Sequence, residues 1–559
     1  MDNNETLTPG KRFWKLIKPD KSEIRNVYIY AFFFGLVNLS LPLGIQSIVN
    51  LIQGGQINSS WVILVIFVIM GIAITGIIQV QQLKITEHLQ QKIFTRAAFE
   101  FAYRIPKVKL EALYRKYAPE LMNRFFDVVA IQKGLSKILI DFSTASIQTV
   151  FGLILLSLYH PFFIIYSLIL VVLVWAIFRY TGERGLRTSL EESKNKYGLA
   201  HWLQELARTS TTFKLAGETD LPMQKTNEHV GQYIDKRESH FNVLVSHYSL
   251  MIVFKILVAA GLLIVGSVLV MEQQMNIGQF VAAEIIILLI IGSVEKLIMS
   301  LETIYDVLTS LEKVGEVTDL ELEAERGIDP CALGNNEQLS VDINNITFSY
   351  PGSEKKIFDR ASLHIPKKDR VMVIGAGQTG KTTLLYLLGG LYQLQEGSIS
   401  YNDIPYGNLN PIKLRSVIGD CLMDEQLFEG TLFENISMGR DNATFDNVIW
   451  AVKMLGLDPF VKALAEGYHT VIYPQGKKFP KGIVERLILA RSIADKPKLL
   501  IISDTFSATS REEKERIFEF LTSEDAPWTL VVSTNDHSLS KFIKRQVMVE
   551  DGKLIDIKA

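Results

Sequence analysis

The chain has 559 residues, a formal net charge of −2 at pH 7 and 48% hydrophobic residues. That length exceeds one compact core and points to at least two domains, and the near-neutral balance argues against a nucleic-acid partner. A mean hydropathy of +0.19 is high for a water-soluble protein of this size, and two cysteines, Cys331 and Cys421, do not make a disulfide framework.

The first ten residues, MDNNETLTPG, are polar and do not read as a cleavable signal. Next comes KRFWKLIKPD, an amphipathic pattern near 11–20 that predicts a helix lying in the membrane interface with Phe13, Trp14 and Leu16 in lipid. Six long apolar segments follow, near 27–50, 61–80, 138–158, 161–178, 249–270 and 279–294. The second, WVILVIFVIMGIAITGIIQV, carries no charge over twenty residues, enough to cross about 30 Å of hydrocarbon as a helix.

The connections set the orientation. IQGGQINSS, YH and MEQQMNIG, between alternate spans, hold no Lys or Arg. The N-terminal flank has Lys11, Arg12, Lys15, Lys18 and Lys21, and the long connections 81–137 and 179–248 are also rich in Lys and Arg. The positive-inside bias therefore places both termini and both long connections on the cytoplasmic side of a cytoplasmic-type membrane. The helical patterning of those connections predicts that spans two to five extend well into the cytoplasm. Asp141, Lys255 and Glu284 fall inside predicted spans, where charges are costly. Asp141 and Lys255 share a depth and are expected to pair; Glu284 either lines a cargo cavity or caps other helices.

The composition shifts at 318–337, TDLELEAERGIDPCALGNNE, an acidic linker. Short β-rich runs then alternate with helical patterns, the signature of an α/β domain. The reading divides the chain into a six-span helical membrane domain over 1–317, a linker over 318–337 and an α/β domain over 338–559.

Within the last of these, RVMVIGAGQTGKTTLLYLLGGLY places an apolar strand, 371–374, before Gly375, Ala376, Gly377, Gln378, Thr379, Gly380, Lys381, Thr382 and Thr383, and then a helix. This is the phosphate-binding loop G-x-x-x-x-G-K-T in its required strand–loop–helix setting. Glycines let backbone N–H groups wrap phosphate oxygens, and the helix N-terminus adds partial positive charge. Lys381 can reach the β- and γ-phosphates of ATP, and the Thr382 hydroxyl can ligand Mg²⁺. Farther on, Asp551-Gly552 joins two strand-like runs as a tight hairpin.

With six spans before a P-loop domain, nearly the whole chain resembles the ATP-binding cassette (ABC) exporters, in the layout of a half-transporter. The resemblance implies a dimer, a homodimer or a heterodimer with a second ABC half, with ATP held between two cassettes. It also implies a membrane-embedded pathway for a cargo that the spans do not identify, and ATPase activity. NITFSYPG looks like the cassette's opening strand, so Tyr350 matches the aromatic residue that stacks on adenine.

Several family positions are changed. Gln378 replaces a P-loop glycine. Met423, in CLMDEQLF, replaces the glutamine that senses Mg²⁺, and a thioether is a poor ligand for a hard cation; Gln426 is out of register. Where the family reads L-S-G-G-Q, this chain has Phe479-Pro480-Lys481-Gly482-Ile483, and Pro480 offers neither a hydroxyl nor an N–H. Aligned on KPKLLII, Ser503 takes the Mg²⁺-aspartate slot and Asp504 the catalytic-glutamate slot; a slip of one residue would bring Asp504 to the metal instead. Asp504 is favoured as an outer partner of Mg²⁺ or of water. Asn535 stands in the switch-histidine slot, with His537 two residues on. The resemblance thus implies ATP binding with weak turnover, in an exporter half or in a non-hydrolysing regulatory subunit of a heterodimer.

Overall fold

A computed structural model describes residues 8–55, 59–114, 116–330, 338–422, 425–476, 478–503, 506 and 508–557. It divides into two compact units, Met1–Pro106 with Lys116–Leu320, and Lys107–Arg115 with Glu321–Ala559.

Among the described residues of the first unit, six helical segments are long and apolar enough to cross a membrane. The run at 61–80 lies within one helix, Ser59–Arg104, of 46 residues. At 1.5 Å per residue it is about 69 Å long, more than twice the hydrocarbon thickness. Phe162–Arg208 and Leu221–Met271 are comparably long, as the patterned connections predict, and so is Ile277–Thr318, for which no extension is predicted. Ile63, Phe67, Ile69, Ile72 and Ile77 project outward from the second span, a surface suited to lipid. The last helix opens on a capping box, in which the Asn276 side chain accepts from Gln279 N–H and Gln279 Oε1 accepts from Asn276 N–H. It buries Ile286, Ile290 and Val294 in one cluster and Val307 and Leu311 in another. Gly134 lets the helix Asp127–Lys137 press against it, since a Cβ there would stand 2.3 Å from Val307 Cγ2.

Four expectations are corrected. The interfacial helix forms as Pro9–Ile17, but Phe13 and Leu16 pack against the helical core and only Trp14 stays largely exposed. The first span is broken at Leu39 into Lys21–Asn38 and Ser40–Gln53; Pro42, third in the second piece, cannot donate to the turn before it. The connection 81–137 is not continuous helix, because Ile105–Lys107, containing Pro106, ends the long helix in a 3₁₀ turn. Lys255 pairs with Glu295 at 2.7 Å rather than with Asp141. Sequence depth alone did not show that Glu295 lies within reach of the ammonium group. Glu284 is exposed on the last helix.

The second unit is built on a six-stranded sheet. Its order is Lys553–Ile557, Arg545–Glu550, Arg370–Ile374, Thr529–Ser533, Leu499–Ser503, Ile418–Cys421, parallel except for the first strand. The hairpin closes through Asp551 and Gly552, both at positive φ (46° and 72°), the paired left-handed conformation of a two-residue turn. Leu499–Ser503 and Thr529–Ser533 are buried along their whole length. Leu499 and Ile501 face one core cluster while Leu500 and Ile502 face the other, so the strand has no polar side. A second, antiparallel sheet holds Val341–Phe348 between Phe358–Ile365 and Glu396–Tyr401.

Candidate functional site

The strand Arg370–Ile374 runs from the buried sheet into the loop 375–380, and the helix Lys381–Leu388 leaves it. Ala376, Gly377 and Gln378 are exposed at its tip. Gly375 has φ +155°, and a Cβ there would meet Val549 O at 2.7 Å; Gly380, capping the helix, has φ +108°. Gln378 also takes the left-handed region, at φ +66°, which explains why a glycine suits this position. Thr379 Oγ1 donates to Ala376 O at 3.0 Å. Lys381 Nζ folds over the loop, donating to Gly375 O at 2.6 Å and Ala376 O at 2.8 Å. Thr382 and Thr383 lie in the first helical turn, where backbone N–H groups have no partner within the helix. Thr383 is buried, and its Oγ1 lies 2.9 Å from the Tyr350 hydroxyl. Tyr350, two residues past its strand, is thereby tied to the loop's helix.

Together these groups bring one lysine and a helix N-terminus to the loop. Helix-end N–H groups, a lysine and hydroxyls converge beside an aromatic ring, an arrangement that suits a triphosphate joined to a flat base.

Ile501 pairs with Val531 and Ser503 with Ser533, so Ser503 is the strand's last residue. It is 2% exposed, and its Oγ has no hydrogen-bond partner among the described residues. Asp504, Met423 and Asp424 lie outside the described residues. Gln426 is exposed, and its main-chain carbonyl accepts from Arg491.

Where the resemblance places the signature, Pro480 precedes the helix Lys481–Ile493 and supplies no capping side chain. Lys481 Nζ is 3.9 Å from Glu485, whose buried carboxylate accepts from Ala508 N–H and Thr509 Oγ1. Arg486 pairs with Glu513 at 3.0 Å, and Arg491 donates to Asn435 O at 2.8 Å. The retained arginines therefore anchor the helix inside the domain. Asn535 and His537 are both exposed. Between them Asp536 accepts from Lys514 Nζ and Ser538 N–H, which hold its carboxyl at about 2.

Sequence reasoning missed Tyr114. The segment 107–115, from the middle of the membrane half, folds with the second unit and brings Tyr114 onto Tyr350. Pro106 was the signal available, because it ends the helix before this segment.

Comparison with known proteins adds four findings. Residues 358–507 match the ABC transporter family. The chain is 24% identical to the ATP-binding/permease protein YgaD of Bacillus subtilis over 98% of its own length and 95% of that protein's. It is 26% identical to HlyB of Escherichia coli, an alpha-hemolysin translocation ATP-binding protein, over 52% of this chain and 41% of HlyB. Its fold superposes on a bacterial Atm1-family ABC exporter solved with ATP bound, with a TM-score of 0.85 at 18% identity, covering 96% of this chain and 94% of the other.

Proposed function

We propose how the chain works from one premise: it is an ABC exporter half-transporter, an integral membrane protein whose helical half is joined to an ATP-binding cassette. It acts as a dimer, with itself or with a second ABC half, and its termini and cassette are cytoplasmic. Cargo moves outward. YgaD, matched along nearly its whole length, is named for export, which supports that direction.

ATP lies with its phosphates along Gly375, Ala376, Gly377, Gln378, Thr379 and Gly380 and its base on Tyr350. The observation that carries this is the loop geometry, with two glycines and Gln378 at positive φ ahead of a helix N-terminus bearing Lys381. Lys381 leaves the loop carbonyls for the β- and γ-phosphates, exchanging neutral acceptors for anionic ones. Thr382 offers its hydroxyl to the phosphate end, and Thr383 offers its backbone N–H while its hydroxyl holds Tyr350.

Mg²⁺ fits the described donors poorly. Thr382 and Ser503 supply hydroxyls, and no group of three or more His, Cys, Asp or Glu among the described residues could hold a metal. Asp504 is the remaining candidate, both as a Mg²⁺ partner and as the catalytic carboxylate. If bound, Mg²⁺ would supply charge neutralisation between the phosphates, with Thr382 and Asp504 as the residues that would hold it.

Turnover is weak. An aspartate is one methylene shorter than the family's glutamate, Asn535 cannot carry a proton, and Pro480 cannot donate to a partner's γ-phosphate. Loss of a general base and of a transition-state donor each costs on the order of 10²–10³ in rate. Each site borrows its signature from the other cassette, so no pairing restores a full set.

The test is nucleotide binding and ATPase activity of the purified chain in lipid, alone and with any partner half, beside Lys381→Ala. Binding lost in Lys381→Ala, with little turnover by the chain alone, is expected. Brisk turnover abolished by that substitution would overturn the weak-hydrolysis reading.

A further inference from the structure

The segment 107–115 is held to the cassette by main-chain ties. Val108 bridges to Leu322, Lys109 N–H donates to Glu321 O at 3.0 Å, and Glu323 N–H donates to Lys107 O at 2.8 Å. Leu110 packs on the cassette core, and Glu111 Oε1 accepts from Gln393 N–H at 2.7 Å. So held, Tyr114 lays its ring on Tyr350, with centroids 5.1 Å apart and planes 14° from parallel. Phe348 and Tyr392 meet Tyr350 edge-on, at 78° and 89°, whereas Tyr114 lies parallel to it. The outer part of Tyr114 remains open, with 44% of the residue exposed.

A purine whose phosphates lie on the loop needs a flat face of Tyr350, and Tyr114 already covers one. We propose that Tyr114 stands in for the base, covering Tyr350 without nucleotide and giving way when a purine stacks there. This rests on reading Tyr350 as the base-stacking residue. The exchange is nearly balanced, because a stacked aromatic pair and a base on an aromatic ring are worth similar free energies. Tyr114 therefore lowers apparent affinity by a modest factor. In return, base occupancy is reported to the segment between two membrane helices by a change of ring partner that needs no hydrolysis. That suits a chain whose hydrolytic positions are altered.

The test uses the full chain in nanodiscs with two probes, the non-hydrolysable analogue AMP-PNP and inorganic tripolyphosphate, which has no base. Tyr114→Ala is expected to bind AMP-PNP about three- to tenfold more tightly and tripolyphosphate unchanged. Tyr114→Phe keeps the stack and is expected to match the parent chain for both. In Tyr114→Trp, AMP-PNP is expected to shift the indole emission to the red and tripolyphosphate to leave it unmoved. Unchanged or weaker AMP-PNP binding by Tyr114→Ala, in a parent chain that binds it, overturns this proposal alone. If Tyr114→Ala also loses tripolyphosphate, the tryptophan variant decides, and an emission that AMP-PNP does not move overturns the proposal. No AMP-PNP binding by the parent chain overturns both this proposal and the reading beneath it.

Discussion

Gln378 holds a left-handed backbone at φ +66° in a loop otherwise built from small residues. For a side-chain-bearing residue that conformation costs roughly 1 kcal/mol, partly offset by the extra freedom that glycine has in the unfolded chain. Gln378→Gly is expected to stabilise the cassette by up to about 1 kcal/mol in urea unfolding, and the β-branched Gln378→Val to destabilise it. Ser503 poses the opposite case, a buried hydroxyl with no described partner at the end of a strand closed on both faces. Ser503→Asp buries a carboxylate there and is expected to cost on the order of 2–3 kcal/mol in EDTA. Mg²⁺ with ATP should restore part of that loss and raise turnover. Thermal unfolding under the two conditions checks this; equal losses in both would show that no cation reaches position 503.

At the scale of elements, apolar length fixed where the spans lie, and local chemistry fixed where they break. Pro42 and Pro106 mark two of those breaks. The π turn Ile138–Phe142 at the start of the third span has no comparable residue to announce it. Lys255 and Glu295 join two long helices through a 2.7 Å ion pair, in surroundings where an unpaired charge is costly. Lys255→Met and Glu295→Met are each expected to lower the thermal stability of the detergent-purified protein. The double substitution should recover part of the loss, since it leaves no charge without its partner. If the double variant is as unstable as the sum of the two single ones, the pair is not coupled.

For the whole molecule, the charge bias of the connections predicts orientation, and the long helices carry that bias far from the apolar runs. Single cysteines at Gly54 and Glu272, on a background without Cys331 and Cys421, should react with a membrane-impermeant maleimide from outside intact cells. Cysteines at Glu218 and Gly352 should react only after lysis. Labelling at Glu218 in intact cells would reverse the proposed topology. The same molecule-wide view bears on hydrolysis. If, as proposed, the cassette binds nucleotide and turns it over weakly, binding energy alone can do conformational work, and turnover then measures only how fast the cycle resets.

The order of residues by itself determined the six spans and the P-loop, because each is a local pattern: uninterrupted apolar length, or glycines at fixed spacing. Tertiary structure decided what depends on partners distant in the chain. It gave Lys255 to Glu295, turned Phe13 and Leu16 into the helical core, and left Ser503 Oγ buried at a strand end with no hydrogen-bond partner among the described residues. It also carried Tyr114 across more than two hundred residues of sequence to lie on Tyr350. A ring stack of that kind leaves no spacing to read, since it is set by how a proline-ended helix hands its chain to the edge of another unit.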